Sequence, residues 1–161
     1  MIDKLKTFEE LKEEIEKLKK QGKRIVWTNG CFDIIHVGHI RYLQKAKSCG
    51  DVLILGINSD DSVRQIKGPS RPINPENERA EIMSELKSVD YVLIFGDKDT
   101  TRYLEILKPD VYAKGGDYTI DTINQDERKI VESYGGKIAL FPADTQNSTT
   151  DIIKRIVDEK I

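Results

Sequence analysis

The sequence has few of the residues that build metal centres and disulfide frameworks. Only two histidines and two cysteines occur among its 161 residues, and the spacing of Cys31 and Cys49 fits neither a metal motif nor a disulfide framework. Reduced thiols in a cytoplasmic protein are the simplest interpretation of the cysteines. A zinc site built on His36 and His39 would need three or four protein ligands, and Asp33 supplies at most one more.

Long apolar segments and a large excess of one charge are also missing. No run approaches the roughly 20 apolar residues that span a bilayer, and residues 1–20 are too charged for a secretory signal peptide. The formal net charge of −2 argues against a broad nucleic-acid-binding surface. We therefore expect a cytoplasmic protein that has neither nucleic acid nor a membrane as its partner.

Two common nucleotide-binding signatures are absent as well. The sequence contains no G-x-x-x-x-G-K-[ST], which excludes a P-loop enzyme. No G-x-G-x-x-G opens the first predicted helix of the core, which argues against a dinucleotide-dependent dehydrogenase.

The pattern of apolar residues predicts strands that alternate with helices. A capping-box pattern at Thr7 and Glu10 begins an N-terminal helix that Gly22 ends. The short apolar runs predict strands at 24–28, 51–58, 90–95, 109–115 and 137–141. Helical spacing predicts helices at about 38–48, 60–66, 76–87, 100–107, 123–134 and 149–160.

This alternation predicts an α/β fold, a Rossmann-like parallel five-stranded sheet with helices on both faces, plus the N-terminal helix. We expect one domain over residues 1–161, with 1–22 as a helical extension and 23–161 as the catalytic core. Ligands of such sheets bind beyond the carboxyl ends of the strands. The predicted strands end in polar loops, which would converge on one crevice: "TNGCFD" (28–33), "NSDD" (58–61), "KGGDY" (114–118) and "PADTQNSTT" (142–150).

His36 and His39 are the most unusual residues in these loops. If a helix begins at Val37 or Gly38, the two imidazoles share a face beside its N-terminus. That end of a helix attracts anions, and Gly38 would let a phosphate approach the backbone. Phosphate binding, metal ligation and a purely structural role all remain open from the residues alone.

Three other segments carry groups that suit phosphates. Ser148, Thr149 and Thr150 precede the last helix and offer more hydroxyls than one N-cap needs. Lys67, Arg71 and Arg79 lie in or beside a Pro-rich loop, where they are either solvated cations or phosphate clamps. The paired glycines before Asp117 permit a sharp turn near a ligand, where the Asp117 carboxylate would meet a ribose hydroxyl or a magnesium-bound water. A plain turn explains these glycines equally well.

Two of these segments together resemble a known family. The run Gly30-Cys31-Phe32-Asp33-Ile34-Ile35-His36-Val37-Gly38-His39, followed by Ser148-Thr149-Thr150, resembles the cytidylyltransferase-like branch of nucleotidyltransferases with an H-x-G-H motif. Within that branch the chain is most similar to the adenylyltransferases of bacterial ADP-heptose synthesis. "TNGCFDIIHVGHIRYL", "INSDDSV", "KGPSRPINP", "VDYVLIF", "KGGDY" and "STTDII" carry this similarity in order, and it covers about residues 24–157.

The resemblance implies transfer of AMP from ATP to D-glycero-β-D-manno-heptose 1-phosphate, which gives ADP-heptose and pyrophosphate for lipopolysaccharide biosynthesis. The substrates would be ATP, with Mg²⁺ bound to its phosphates, and a sugar 1-phosphate. A kinase is often fused to such domains, and this chain has no room for one. We therefore expect a stand-alone form with a functional link to a separate sugar kinase, and a homodimer is possible.

The resemblance also assigns residues to tasks. The groups acting at the reacting phosphates would be His36, His39, Lys67 and Arg79. Arg71 would contact the acceptor, and Asp33 would lie near the magnesium ion. The remaining nucleotide and phosphate contacts would come from Thr28, Asn29, Gly30, Phe32, Asp33, Gly38, Lys114, Gly115, Asp117, Ser148, Thr149 and Thr150.

One segment departs from the family pattern. Glycerol-phosphate relatives carry Arg-Thr-Glu-Gly before the final Ser-Thr-Thr, and many heptose relatives carry a Glu-Gly or Asp-Gly pair, whereas this sequence has Ala143-Asp144-Thr145-Gln146-Asn147. The missing Arg argues against the cytidylyl subgroup. A cytidylyltransferase or an adenylyltransferase for another acceptor, such as glycerol 3-phosphate, stays open, as does a nucleotide-binding module without turnover.

Overall fold

A computed structural model of the chain describes residues 3–143 and 148–159. Within those ranges the strands are β1 (Ile25–Gly30), β2 (Val52–Asn58), β3 (Tyr91–Phe95), β4 (Val111–Gly115) and β5 (Lys137–Phe141). The helices are α1 (Phe8–Lys20), α2 (Val37–Lys47), α3 (Asp60–Lys67), α4 (Glu76–Ser84), α5 (Thr101–Leu107), α6 (Gln125–Ser133) and α7 (Thr149–Asp158). No helix in this described part of the chain is both long enough and apolar enough to cross a bilayer.

The five described strands form one parallel sheet in the order β3-β2-β1-β4-β5. This confirms the predicted Rossmann-like α/β fold. The chain leaves β1 in one direction to build β2 and β3, and later returns to the other side of β1 with β4. The boundary between β1 and β4 is therefore the topological switch point, where ligands of such sheets bind.

Alternate side chains of each buried strand face opposite sides of the sheet, and two apolar cores result. In β1, Ile25 and Trp27 face a core that also contains Leu11 and Ile15 of α1 and Tyr103 of α5. The residue between them, Val26, faces a second core, to which α2 and α4 contribute Leu43, Ala46, Ala80 and Met83. Helices thus cover both faces, as a parallel sheet requires.

The segment before the N-terminal helix pairs with the edge of this sheet. The predicted capping box is present, because Thr7 and Glu10 bond reciprocally at the start of α1. Before the helix, the N–H of Lys6 donates to the carbonyl of Val92, and Leu5 makes a β-bridge to the same residue at the edge strand β3. No local sequence pattern predicts this pairing.

Several predicted boundaries differ from the structure by a few residues, as two examples show. The first strand was predicted to end at residue 28, but it pairs with β2 through Gly30, which lies opposite Ile57. Thr28, Asn29 and Gly30 are therefore strand residues, although their polar and small side chains are typical of a loop. The helix predicted to end at residue 87 ends at Ser84.

Candidate active site

The switch point is open because β1 and β4 pair over only two positions. Val26 lies opposite Val111 and Trp27 opposite Tyr112, whereas β1 pairs with β2 over six positions. Beyond the second pair, the side chain of Tyr42 from α2 lies between the two strands. Its hydroxyl is 2.6 Å from Thr28 Oγ1, and its ring packs so tightly on Gly115 that a Cβ there would lie 2.8 Å from it.

A cavity of about 330 Å³ begins at this gap. The carboxyl ends of β1 and β4 form its floor. The start of α2 forms one wall, and the end of β5 forms the other. Seven residues predicted for the site line it together: Asn29, Gly30, Phe32, His36, Gly38, Lys114 and Gly115. The volume falls at the lower end of the range typical of small-molecule sites.

The two histidines lie together at the N-terminus of α2. His36 occupies the N-cap position, and its side chain makes no capping hydrogen bond. The rings of His36 and His39 are stacked, with centroids 3.8 Å apart, and Phe32 contacts His39 edge to face at 5.1 Å. Each imidazole has a buried Nδ1 that finds no hydrogen-bond partner among the described residues.

Burial keeps these imidazoles uncharged at neutral pH. It lowers the pKa of His36, and together with the neighbouring His36 it lowers the pKa of His39 to about 4. A neutral imidazole has one N–H donor and one acceptor nitrogen. Of the two, His36 lines the cavity, and His39 is stacked on it. Beside the free N–H groups of a helix N-terminus, His36 therefore presents a hydrogen-bonding group without a fixed charge to the cavity.

Asp33 does not have the role that the sequence predicts. Its side chain is 0% exposed, and its carboxylate accepts hydrogen bonds from Arg71 Nε and from the backbone N–H groups of Ile73 and Asn74. Burial would raise the pKa of Asp33, but these three donors outweigh it and hold the pKa below its usual value. The carboxylate anchors the Pro-rich loop, which leaves it no exposed oxygen for Mg²⁺.

Arg71 and Arg79 are held by the same loop. Arg71 was predicted to contact the acceptor, but its Nε lies 2.7 Å from Asp33, and its side chain is only 12% exposed. The guanidinium of Arg79 is 0% exposed and pairs with Asp60. It also donates to three backbone carbonyls, those of Cys31, Asn58 and Asn74. This burial does not fit direct contact with a phosphate, so Arg79 holds three loops together at the strand ends.

The start of α7 reaches the histidine loop. Ser148 caps the helix by accepting from Asp151 N–H, and Thr149 Oγ1 donates to the carbonyl of Ile34 at 3.2 Å. Thr150 is exposed in the first turn. Thr149 therefore lies against the loop that leads into His36, while the departing segment 144–147 lies outside the described residues.

Two further predicted residues lie at the margin. Lys67 is exposed at the end of α3. Burial raises the pKa of the Cys31 thiol, and the nearby positive charge of Lys67 partly offsets that rise. Asp117 is exposed just after Gly116, whose φ of +120° belongs to the left-handed region that favours glycine. Neither side chain belongs to the cavity wall.

Sequence reasoning missed several residues of the cavity. Tyr42 and Lys45 follow His39 at successive intervals of three on α2, so helical periodicity would have placed them on the same face. Tyr118, Phe141, Pro142 and Ala143 also line the cavity. All but Phe141 belong to loops that were predicted to converge on the crevice, although none was named as a site residue. Phe141 has no local signal, because it reaches the site only through the pairing of β5 with β4.

Comparison with known proteins agrees with this geometry. The family model described as Cytidylyltransferase-like matches residues 27–155. The chain is 47% identical over 155 residues to the bifunctional protein HldE of Syntrophotalea carbinolica, and 51% identical over 154 residues to that of Geobacter metallireducens. Both matches cover 96% of this chain but 31% of the relative, so the chain spans about a third of their length.

Solved structures share the fold. A lipopolysaccharide core biosynthesis protein from Thermoplasma volcanium has a TM-score of 0.62 and 30% identity, over 78% of this chain and 100% of that one. A pantoate-β-alanine ligase from Francisella tularensis has the same TM-score at 18% identity, over 97% and 79% of the two chains, which shows likeness of fold alone. With the family match over most of its length, this chain belongs to the cytidylyltransferase-like family of nucleotidyltransferases.

Proposed function

We propose that this protein transfers AMP from MgATP to D-glycero-β-D-manno-heptose 1-phosphate and releases pyrophosphate. The observation that carries the proposal is the stacked pair His36 and His39 at the N-terminus of α2, where His36 lines a cavity of about 330 Å³ on the switch point. The heptose acceptor rests on the motif resemblance and on the likeness to the HldE proteins and to a lipopolysaccharide core biosynthesis protein. The reaction is placed in the cytoplasm, where ATP is available.

The arrangement suits phosphoryl chemistry that needs no protein nucleophile. An oxygen of the sugar phosphate attacks the α-phosphorus in line, and pyrophosphate leaves from the opposite side. Charge builds on the phosphate oxygens during this step, and donors fixed in advance stabilise it. In this proposal His36, His39 and the N-terminus of α2 supply those donors, while Lys114 and Lys67 supply positive charge.

Mg²⁺ enters the proposal as part of the MgATP substrate. The described residues contain no cluster of three His, Cys, Asp or Glu side chains that would hold a metal ion. Asp33 is committed to the Pro-rich loop. Because Mg²⁺ retains water and binds nucleotide phosphates readily, a dedicated protein cage is not required.

The remaining contacts are proposed on position. Asn29, Gly30, Phe32, Gly38 and Gly115 would form the wall on which the nucleotide rests, and Thr28, which is buried against Tyr42, would support it from within. Ser148 to Thr150 would meet its phosphates from α7. Asp117, which is exposed outside the cavity wall, would meet a ribose hydroxyl or a magnesium-bound water. A sugar kinase that makes the phosphorylated acceptor is the proposed functional partner, and light scattering on the purified chain would measure the proposed self-association.

A panel of nucleotides and acceptors tests the reaction. Purified protein is incubated with MgATP or MgCTP and with heptose 1-phosphate, other sugar 1-phosphates or glycerol 3-phosphate, and pyrophosphate release is followed. We expect the highest kcat/KM with MgATP and heptose 1-phosphate. Faster turnover with CTP or with glycerol 3-phosphate would replace the proposed substrates, and MgATP binding without turnover on any acceptor would identify a binding module.

A further inference from the structure

Glu127 is a buried carboxylate to which neither the sequence nor the reaction assigns a role. It lies in the first turn of α6 and is 3% exposed. Its Oε1 accepts from the backbone N–H of Thr100 at 3.0 Å and from Thr100 Oγ1 at 2.9 Å. Its Oε2 accepts from the Tyr112 hydroxyl at 2.8 Å. Every one of these hydrogen-bond donors is uncharged.

The cation that faces this carboxylate comes from the wall of the cavity. Lys114, the fourth residue of β4, brings its Nζ to 3.8 Å from Glu127 Oε2. The ammonium lies 5.8 Å from the ring centroid of Tyr112 and 4.9 Å from that of Tyr118. The lysine side chain is 23% exposed, and it lines the cavity together with Tyr118.

A second connection runs from Glu127 to β1. The hydroxyl of Tyr112 that donates to Glu127 also lies 3.4 Å from Asn29 Oδ1, and Asn29 lines the cavity. Burial and the negative charge of Glu127 raise the pKa of Tyr112, so that its hydroxyl stays protonated as a donor. The carboxylate therefore contacts, directly or through one hydroxyl, a wall residue on each side of the gap between β1 and β4.

We propose that Glu127 is a positioning residue of the nucleotide site, which holds Lys114 at the cavity wall so that its ammonium meets the phosphates of MgATP. This inference deepens the proposed function and rests on it. A lysine has a flexible four-carbon stem, so its ammonium must be ordered when it binds a ligand. Between the carboxylate and the two tyrosine rings, Lys114 is ordered before the nucleotide arrives, and part of that entropic cost is already met.

The charge of Glu127 is what the proposed role requires. A buried carboxylate is costly to desolvate unless a cation and hydrogen bonds accompany it. If Glu127 served only to join α6 to α5, its bonds with Thr100 would suffice, and a neutral amide of the same shape would replace it well. The ion pair with Lys114 distinguishes these two roles, because an amide keeps the shape and loses the attraction.

The test is a double-mutant cycle on MgATP affinity. Calorimetry measures the Kd of MgATP for the wild type, Glu127→Gln, Lys114→Met and the double variant, and pyrophosphate release is measured on the same samples. We expect Glu127→Gln to weaken MgATP binding about tenfold. Because Glu127 acts through Lys114, the double variant should bind no more weakly than Lys114→Met alone.

Two control variants separate positioning from folding. Glu132→Gln removes an exposed carboxylate from the same helix and should leave the Kd unchanged. Thr100→Val removes one hydrogen bond to Glu127 without touching Lys114, so it should lower the melting temperature and keep the Kd. If Glu127→Gln does not fold, Glu127→Asp, which withdraws the carboxylate by one methylene, should weaken MgATP binding in its place.

The results separate this inference from the proposed function. Wild-type MgATP affinity in Glu127→Gln, or in the folded Glu127→Asp substitute, would overturn the role of Glu127. So would effects of Glu127→Gln and Lys114→Met that multiply in the double variant. In either case, turnover by the wild type would still uphold the reaction. A wild type that binds MgATP in a Glu127-dependent way and turns over no acceptor would overturn the reaction and uphold the positioning role.

Discussion

The segment from Asp33 to His39 carries buried polar atoms that differ in how fully they are hydrogen-bonded. Asp33 accepts from one guanidinium and two backbone N–H groups. Three residues later, His36 has a buried Nδ1 without a partner in the described part of the chain, as does the stacked His39. A buried charge with complete hydrogen bonds maintains the fold, whereas unpartnered buried nitrogens beside a cavity call for an explanation, which the proposed phosphate site supplies.

Replacement of Arg79 by Met tests the first half of this comparison and has the largest expected effect. The variant leaves Asp60 without its buried partner and removes the donors to three backbone carbonyls. Loss of one partner of a buried ion pair costs about 3–5 kcal/mol. We expect the free energy of unfolding in urea to fall by that amount.

Arg64 provides the matched control for Arg79. It pairs with Asp61 on the exposed face of α3, with side-chain exposures of 48% and 84%. Arg64→Met should change the free energy of unfolding by less than about 0.5 kcal/mol. Wild-type stability with lost turnover in Arg79→Met would instead restore the direct phosphate contact that the sequence predicts.

Replacement of His39 by Ala tests the second half. Removal of a single preorganised donor to a developing oxyanion lowers kcat by about 10²–10³, and we expect a decrease of that size in steady-state pyrophosphate release. The assay is run well below the melting temperature of the variant. Gln44→Ala, on the exposed side of the same helix, should retain the wild-type kcat, and a near-normal kcat in His39→Ala would remove the role proposed for the imidazole.

Much of the fold follows from local sequence. The buried strands are short apolar runs, and strands and helices alternate, which is sufficient to predict a parallel sheet with covered faces. The pairing of residues 4–6 with β3 could not be predicted, because it joins segments more than 80 residues apart. Asn29 and Gly30 were predicted as a loop, since they are strand residues only through their pairing with β2.

The same division applies to the site. His36, Gly38 and Lys114 stand out in the sequence because they lie at or just beyond strand ends, and the structure places them at one cavity, with His39 stacked on His36. The roles of Asp33 and Arg79 depend on contacts between residues about 40 to 50 positions apart. Sequence identifies such charges as functional, but only the folded chain shows whether their hydrogen bonds are already complete.

Replacement of Asp33 by Asn separates loop anchoring from metal binding. The amide nearly keeps the shape but loses the charge that accepts from Arg71 and from two backbone N–H groups. We expect a loss of roughly 2 kcal/mol in the free energy of unfolding, as for a charge-assisted buried hydrogen bond. The Mg²⁺ concentration that gives half-maximal turnover should be unchanged, and activity rescued by excess Mg²⁺ would show that Asp33 binds the ion after all.

The pH dependence of stability is the mildest test of the histidine pair. The pKa of His39 is lowered from an ordinary value of 6.5 to about 4 in the folded protein, so between these values the unfolded chain binds more protons. Stability therefore rises with pH across this window and is lost as the pH falls through it.

Glutamine keeps a polar group at position 39 but does not titrate. We expect wild type to lose about 1 kcal/mol more than His39→Gln between pH 6.5 and 4, after discounting for solvent screening of a half-buried ring. Since the chain has only two histidines, their ring protons can be followed directly by NMR. An ordinary pKa for His39 in that titration would mean that water solvates its ring. Water would then satisfy the unpartnered nitrogen, and no ligand would be needed to explain it.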